Sequence, residues 1–336
     1  MIKRTRWPIF LLCALVAAPA LAQDIHLTQF YTAQQNLNPA LIGRHDGAWR
    51  IAGNYRNQWR EINAPITTGI IGFDKKFFIP SDEISAGIFL AHDNYSGYAL
   101  NTTKVFATVS YMKRLGKNEL RAGIQLGGLF RSTDLSGQTF PNQWVYQGGQ
   151  FDPNVSNQEN NLNASQQFFD MNLGFAYRRR FKKWTPMVGY SIFHINRPND
   201  TYFNEPVERL RVRQLVHMEA DVPINSEFIA EPKLLYMWTT MAQDFVMGSN
   251  FRFLTGKQWV RSIFAGAVYR AAIGTNFDMI SPIIGFNIKG VEIGLNYDVN
   301  VSELSSNSQK STFELSIIYT GPLNAPKALS IPCDRY

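Results

Sequence analysis

The feature that most constrains this chain is a two-residue alternation of apolar and polar side chains that recurs along most of its length. In the segment VEIGLNYDVNV, residues 291–301, one set of alternate positions holds only apolar or aromatic residues, and the other holds Glu, Gly, Asn and Asp. Successive side chains of a strand point to opposite faces, so this segment would form a strand with one apolar and one polar surface. Residues 167–181 and 208–222 alternate in the same way. The period predicts an all-β protein.

About fourteen such segments follow Gly47, and many are longer than the roughly five or six residues usual in globular strands. Their length fits the roughly ten residues of a tilted strand that crosses a membrane. No apolar run after residue 22 reaches the length of a membrane helix, which excludes a helical membrane bundle. The predicted strands cover residues 47–60, 65–77, 84–95, 101–114, 118–132, 167–181, 185–196, 208–222, 226–239, 243–254, 259–271, 277–288, 290–301 and 311–320.

The connections between these segments alternate in length. Short turns such as LGKN and FKKW alternate with connections that tend to be longer, such as residues 133–165 and 197–207. A transmembrane barrel has short periplasmic turns and longer outer loops, whereas a secreted β-sandwich, the alternative, has no reason to separate loops by length. We therefore predict a transmembrane outer-membrane β-barrel of about 14 antiparallel strands over residues 47–320.

The first 22 residues are typical of an export signal. Three basic residues in KRTR precede an apolar run from Trp7 to Leu21, and Ala20-Leu21-Ala22 has the small-residue spacing of a signal-peptidase site. The apolar run is shorter than the roughly 20 residues needed to cross a bilayer. Without these residues, 30 of the 33 basic residues remain against 26 acidic ones, a net charge of +4.

Composition and motifs argue against several functions. A nearly neutral chain without a recognisable binding motif gives no reason to expect a nucleic-acid partner. Cys333 is the one cysteine beyond residue 22, so it has no partner for an internal disulfide. The five histidines show no metal-ligand spacing, and no nucleophile-elbow, Walker or dinucleotide-binding motif occurs. We therefore expect neither an enzyme nor a metal or cofactor site.

The polar faces of the predicted strands carry charges of both signs, and these would line the lumen. A closed barrel satisfies its backbone polar groups within the sheet, so it can keep charged groups inside and an apolar face outside. Mixed charges in a lumen usually pair with each other, and a selective pore is the alternative. The residues concerned are Arg50, Arg56, Arg121, Arg211, Glu231, Lys233, Asp244, Arg252, Glu292, Asp298 and Glu314.

Residues 23–46 differ from the strands that follow. Within them the stretch HLTQFYTAQQNLNPALIG keeps no regular period, and Pro39 interrupts it. Amide and aromatic side chains can satisfy polar groups of a lumen without forming another strand. We predict that residues 23–46 form a periplasmic cap or plug, with a merely anchored terminus as the alternative. Residues 321–336 are predicted to form a periplasmic tail.

Residues 29–75 also resemble a known family. The motifs QFY, LNPA and NYRNQW are similar to the opening of the PorP/SprF family of the Bacteroidetes type IX secretion system. The resemblance implies a barrel in outer-membrane lipid that acts in protein secretion or gliding motility, with periplasmic ring proteins or a secreted adhesin as partners. An outer-membrane transporter or porin with an N-terminal plug is the alternative function. The motif residues that are candidates for interaction or for the plug are Gln29, Phe30, Tyr31, Asn38, Pro39, Asn54, Tyr55, Arg56, Asn57, Gln58 and Trp59.

Overall fold

Fourteen antiparallel strands of this chain close into one barrel in the computed structural model. The predicted export signal and most of the predicted tail lie outside the described residues. Among the residues that the structure describes, no helix is long and apolar enough to cross a bilayer. The described residues are 24–59, 65–79, 82–134, 139–146, 148–156, 165–200, 209–273, 277–301 and 311–322.

Each barrel strand pairs with the next barrel strand along the chain, and the first and last strands pair to close the barrel. This architecture confirms the predicted fold. The strands are β1 Trp49–Gln58, β2 Ile66–Ile79, β3 Asp82–Tyr95, β4 Leu100–Leu115, β5 Asn118–Thr133, β8 Ser165–Arg179, β9 Thr185–Phe193, β10 Arg213–Pro223, β11 Phe228–Trp238, β12 Gln243–Leu254, β13 Val260–Ile273, β14 Phe277–Ile288, β15 Val291–Asn300 and β16 Thr312–Thr320. A separate two-stranded hairpin between β5 and β8 consists of β6 Trp144–Val145 and β7 Gln150–Phe151.

The strand bounds differ from the predicted ones in a few places. Strand β1 ends at Gln58 because Trp59 has a φ of 60°, which is outside the extended region. Strand β9 ends before His194, which has the same φ, and β10 begins at Arg213. The predicted lumenal residue Arg211 therefore precedes its strand. No period predicts the hairpin of β6 and β7, because two-residue strands are too short to show an alternation.

The alternation of side chains separates an apolar outer surface from a polar lumen. In β15, Tyr297 and Val299 are exposed, whereas Asn296 and Asp298 are buried. Lipid requires this arrangement, because an outward polar side chain would lose its hydrogen bonds with water. Inside the barrel lie two clusters of buried apolar side chains, one around Leu41 and one around Leu27 and Phe89, so the core of this protein is in its lumen.

Charges in the lumen pair between strands, including strands that are not neighbours in the sheet. Arg50 of β1 lies 2.7 Å from Asp74 of β2, and Arg252 of β12 lies 2.7 Å from Glu292 of β15. Arg121 of β5 makes a similar pair with Glu83 of β3 at 3.3 Å. A buried charge without a partner would cost several kcal/mol, so these pairs allow charged residues to line the barrel.

Candidate functional site: a lumenal plug

Residues 24–46, which we call the plug, fill the lumen before the chain enters β1. They contain one short helix, α1 (Gln34–Leu37), followed by a 3-10 turn at Pro39–Leu41. Asn38 caps this turn, since its side-chain oxygen accepts a hydrogen bond from the Ala40 N–H at 2.9 Å. Proline suits the first position of such a turn because that position needs no N–H donor. Ala40, Leu41 and Ile42 have no exposed surface, so the turn lies fully inside the barrel.

The plug begins in a group of buried charges at the barrel end that carries the long connections. The Asp24 carboxylate contacts Lys104, His194 at 2.7 Å and Arg213 at 3.2 Å, and the other ring nitrogen of His194 lies 2.9 Å from Asp170. Burial alone would raise the pKa of Asp24, but the positive charges of Arg213, Lys104 and His194 hold it well below its usual value. Burial would lower the pKa of His194, yet Asp24 and Asp170 raise it. Asp24 is therefore a charged anchor.

The plug ends at the opposite side of the barrel, beside the short turns. The backbone N–H of Gly43 donates to the Asp74 carboxylate at 2.7 Å, and Arg44 forms an ion pair with Glu219 of β10 at 2.7 Å. Asp74 and Glu219 both lie near strand ends that meet short turns. The plug therefore runs through the height of the barrel from the long connections to the short turns.

Thr28 and Gln29 attach the plug to the seam between the first and last strands. The backbone N–H groups of these two residues donate to the Glu314 carboxylate of β16 at 2.7 and 2.9 Å. Arg56 of β1 donates to the same carboxylate and lies 3.3 Å from Asp298 of β15. Hydrogen bonds to a charged group are among the stronger ones in proteins, at roughly 1.5–3 kcal/mol each. The plug and the barrel closure thus share one buried charge network.

Further side-chain contacts hold the same part of the plug. The Gln29 amide donates to Asn296 at 2.7 Å and accepts from Ser316 at 2.8 Å. Asn54 of β1 donates to the Thr32 hydroxyl at 2.6 Å. Gln29 and Asn54 are both buried, so their hydrogen bonds are made within the protein, although the Asn54 side-chain oxygen has no partner among the described residues.

Phe30 and Tyr31 form the aromatic part of the plug. Their rings meet edge to face with centroids 5.7 Å apart, and Phe30 packs in the apolar cluster around Leu41. The Tyr31 hydroxyl accepts a hydrogen bond from Asn250 at 3.0 Å, and the Lys233 ammonium lies 4.4 Å from the centre of its ring. Burial raises the pKa of Tyr31, so the phenol stays neutral.

Asn38 and Pro39 pass a part of the barrel wall that has no side chains. An added Cβ at Gly174 would lie 1.9 Å from the Asn38 side-chain oxygen, and one at Gly123 would lie 2.5 Å from Pro39. At Gly189 an added Cβ would lie 2.8 Å from the Asn38 amide nitrogen. That amide donates to backbone carbonyls of β8 and β9 at 3.0 and 3.3 Å. Sequence reasoning missed these three glycines, although all occupy lumenal positions of their strands.

The motif residues of β1 point in different directions. Tyr55 is 42% exposed on the lipid face, and Asn57 lies beside its hydroxyl. Gln58 accepts a hydrogen bond from Arg56 at 3.2 Å, while the Trp59 N–H, beyond the strand end, donates to the Ser311 carbonyl. The candidates that meet in the lumen are Gln29, Phe30, Tyr31, Asn38, Pro39, Asn54, Arg56 and Gln58.

Contacts of the plug reach most of the barrel wall. Hydrogen bonds, ion pairs or cation–π contacts join it to twelve of the fourteen strands: β1 to β5, β8 to β12, β15 and β16. A cavity between the plug and the wall, beside Gln35 and Asp74, has a volume of about 10 Å³. Such a space holds roughly one water molecule. The plug therefore occupies the lumen and is held to most of its wall.

The described part of the chain offers no group of three or more His, Cys, Asp or Glu side chains that could hold a metal ion. The buried carboxylates Asp24, Asp170 and Glu314 are instead engaged with His194 or Arg56. The chemistry that this arrangement supports is the binding and positioning of a polypeptide segment.

A closed antiparallel barrel with an apolar outer surface and a charged, filled lumen defines an outer-membrane β-barrel. The CymD monoaromatic hydrocarbon channel is similar in fold, with a TM-score of 0.54 and 10% identity, over 88% of this chain and 93% of that chain. The TodX deltaS2S3 mutant monoaromatic hydrocarbon channel has a TM-score of 0.51 and 8% identity, over 84% and 91% of the two chains. At such identities the likeness shows the fold.

The sequence profile of the family described as type IX secretion system membrane protein PorP/SprF matches residues 20–319. The chain therefore belongs to the PorP/SprF family, which confirms the resemblance of residues 29–75. No match was found among curated protein sequences. Family and fold place the protein in the outer membrane, as a membrane-embedded component that works with other secretion components.

Proposed function

We propose that this protein is a closed outer-membrane component of the type IX machine that acts by binding other proteins and catalyses no reaction. Its partners are the periplasmic ring proteins or a secreted adhesin, such as an adhesin used in gliding motility. The observation that supports this proposal is the plug, which contacts twelve strands and occupies the lumen. A barrel whose lumen is occupied in this way contributes to secretion through its surfaces.

The alternative is a transporter or porin whose plug moves aside. Two barrels of similar fold, CymD and the TodX deltaS2S3 mutant, are monoaromatic hydrocarbon channels. Movement of this plug would separate Thr28 and Gln29 from Glu314 and would remove Asp24 from three cationic side chains. Breaking one buried ion pair typically costs about 3–5 kcal/mol, so opening would need a strong external driving force. The fixed plug favours the first function.

A disulfide between the plug and the wall distinguishes the two functions. Thr32 and Asn54 have side chains in hydrogen-bond contact at 2.6 Å, so cysteines at both positions should link the plug to β1. The variant Thr32→Cys/Asn54→Cys is made in a Cys333→Ser background, and each single cysteine variant serves as a matched control. Secreted type IX cargo and uptake of small solutes are measured in oxidised and reduced cells, beside a strain that lacks the gene.

We expect the strain without the gene to lose secreted cargo and the locked barrel to secrete as much as the wild type. Solute uptake should be low and equal in all barrel variants. Normal secretion in the strain without the gene would contradict a role in secretion. Solute uptake that is high in the wild type, falls on oxidation and returns on reduction would instead identify a transporter with a movable plug.

A further inference from the structure

Eight basic residues meet at two neighbouring short turns of the barrel and at the strand ends that lead into them. One turn joins β4 to β5, the other joins β8 to β9, and they are adjacent because β5 pairs with β8 as far as Asn118 opposite Arg179. The two turns also touch directly, since the backbone N–H of Arg180 donates to the Lys117 carbonyl at 2.9 Å. This cluster, called the basic patch, consists of Lys113, Arg114, Lys117, Arg178, Arg179, Arg180, Lys182 and Lys183.

The basic patch keeps most of its charge after local pairing. Its ion pairs, at 3.0–3.6 Å, use the three carboxylates of Asp82, Glu119 and Asp221. Eight cations against three carboxylates leave an excess of five positive charges, while residues 23–336 as a whole carry a net +4. The remainder of the protein is therefore close to neutral, and its positive charge is concentrated at this place.

Two outward-facing tyrosines indicate where the basic patch lies relative to the lipid bilayer. Tyr111 of β4 and Tyr177 of β8 are 43% and 37% exposed on the outer face, and aromatic residues of this kind lie at the head-group level of a membrane. The residues of the basic patch come after Tyr111 and Tyr177 along β4 and β8, so the patch lies on the short-turn side of these tyrosines. There Phe181 stacks on Trp184 at 5.4 Å, and the Arg179 guanidinium lies 4.9 Å from the Phe181 ring centre. Short turns of such barrels face the periplasm, so the basic patch does too.

The uneven distribution of basic residues among the short turns indicates what the basic patch binds. The next short turn, between β10 and β11, has acidic Asp221 and Glu227 nearby and no basic residue between them. A bilayer surrounds all strands alike and gives no reason to charge one side of the barrel. A docked protein does, because charge complementarity orients partners and speeds their association. We propose that the basic patch docks an acidic surface of a periplasmic type IX protein, a proposal that rests on the proposed function above.

Two variants with the same change in net charge test this docking. The affinity-tagged full chain is purified from its own host in mild detergent at low and high salt, and co-purified periplasmic type IX proteins are quantified by mass spectrometry. Two control substitutions lie on other short turns, at Lys257 and Lys289, and two lie on strands that lead to such turns, at Lys75 of β2 and Arg261 of β13, and all four side chains are exposed. The patch variant carries Lys117→Glu, Arg180→Glu, Lys182→Glu and Lys183→Glu, and the control variant carries Lys75→Glu, Lys257→Glu, Arg261→Glu and Lys289→Glu.

We expect the patch variant to recover about tenfold less of these proteins than the wild type at low salt, and the control variant to match the wild type. High salt should reduce recovery with the wild type, because screening weakens exposed charges. Equal recovery with both variants would overturn the docking site while leaving the proposed function in place. Absence of type IX proteins from the wild-type preparation would instead overturn the proposed function.

A second measurement tests whether the basic patch binds anionic lipid instead of a protein, and whether the patch variant folds. Wild type and patch variant are unfolded with urea in phosphatidylcholine vesicles with and without phosphatidylglycerol. A stabilisation by phosphatidylglycerol that only the wild type shows, together with unchanged recovery of periplasmic proteins, would assign the basic patch to anionic lipid and refute docking. If the quadruple variant does not fold, Lys182→Ala/Lys183→Ala at the exposed turn replaces it, with Lys257→Ala/Lys289→Ala as its control.

Discussion

A single methyl group at Gly174 should disturb the plug strongly, because the plug passes this position without room for a side chain. Gly174 lies in β8 on the lumenal side, where the Asn38 side-chain oxygen would be 1.9 Å from an added Cβ. The Ala40 nitrogen and the Pro39 ring would both be 2.9 Å away. Ordinary contact begins at 3.4 Å, so Asn38 must move by about 1.5 Å, from 1.9 Å to 3.4 Å.

Such a shift is larger than the hydrogen bonds of Asn38 tolerate. Its side chain bonds to the Ala40 N–H at 2.9 Å and to two wall carbonyls at 3.0 and 3.3 Å. Overpacking costs about 1–3 kcal/mol, and a buried amide left without partners costs about 1–3 kcal/mol more. Gly174→Ala should therefore lower the free energy of unfolding by about 2–6 kcal/mol, or it should expel the turn and open the lumen.

Gly69→Ala in β2 is the matched control, because an added Cβ there meets nothing within 4 Å. Alanine is usually favoured over glycine within a strand by about 0.5–1 kcal/mol, so this control should be neutral or slightly stabilising. Both variants are unfolded with urea in lipid vesicles, with tryptophan fluorescence as the signal, and their conductance is recorded in planar bilayers. Equal stability and equally low conductance would show that the plug turn does not pack against Gly174, and the reasoning would be wrong.

Three further predictions concern the lipid face, the orientation and the charged start of the plug. Ile284→Arg, at a position that is 61% exposed to lipid, should lower the free energy of unfolding by about 2–4 kcal/mol near the bilayer midplane, whereas Ile284→Leu should not; urea titration measures both. Cysteines at Ser156 and Asn199 should react with an impermeant maleimide on intact Cys333→Ser cells, and one at Asn118 should not; the reverse pattern would invert the topology. The pKa of His194 is raised, so its contribution to the free energy of unfolding is complete below the ordinary value of 6.5 and is lost as pH rises through the raised pKa. The pKa of Asp24 is lowered, so its contribution is complete above the ordinary value of 3.8. Asp24→Asn should therefore destabilise the protein most between these values and less at alkaline pH, as measured by urea unfolding of both proteins across pH, and a pH-independent difference would contradict this linkage.

The faces of the strands could be predicted from sequence because the alternation is local. Asn296 and Tyr297 are adjacent in the chain, and the pleat alone sends them to opposite sides of the sheet. The hydrogen bond from the Thr28 N–H to Glu314 joins residues 286 positions apart, and no local period carries that information. The start of β10 at Arg213 could not be predicted either, because Arg209 and Arg211 continue the alternation although they precede the strand.

The glycines of the wall show why the path of the plug could not be predicted. Gly123 and Gly174 are unremarkable as strand residues, and glycine usually weakens a strand. Their role appears only when the turn at Asn38 is placed against them, because a Cβ at either position would collide with it. A feature that depends on the closeness of two distant segments has no signature in either segment alone.

The positions of the family motif in the structure also bear on where a partner can bind. The motif has residues in two parts of the chain, Gln29 and Asn38 in the plug and Asn54 and Arg56 in β1. All four side chains lie in the lumen and are 0–5% exposed. Gln29 and Arg56 both donate to the Glu314 carboxylate, so the two halves of the motif meet at one acceptor between the plug and the wall. A partner outside the barrel cannot touch these side chains while the plug is in place. The motif residues therefore hold the plug in the lumen, and we expect a partner to bind exposed surfaces such as the proposed basic patch.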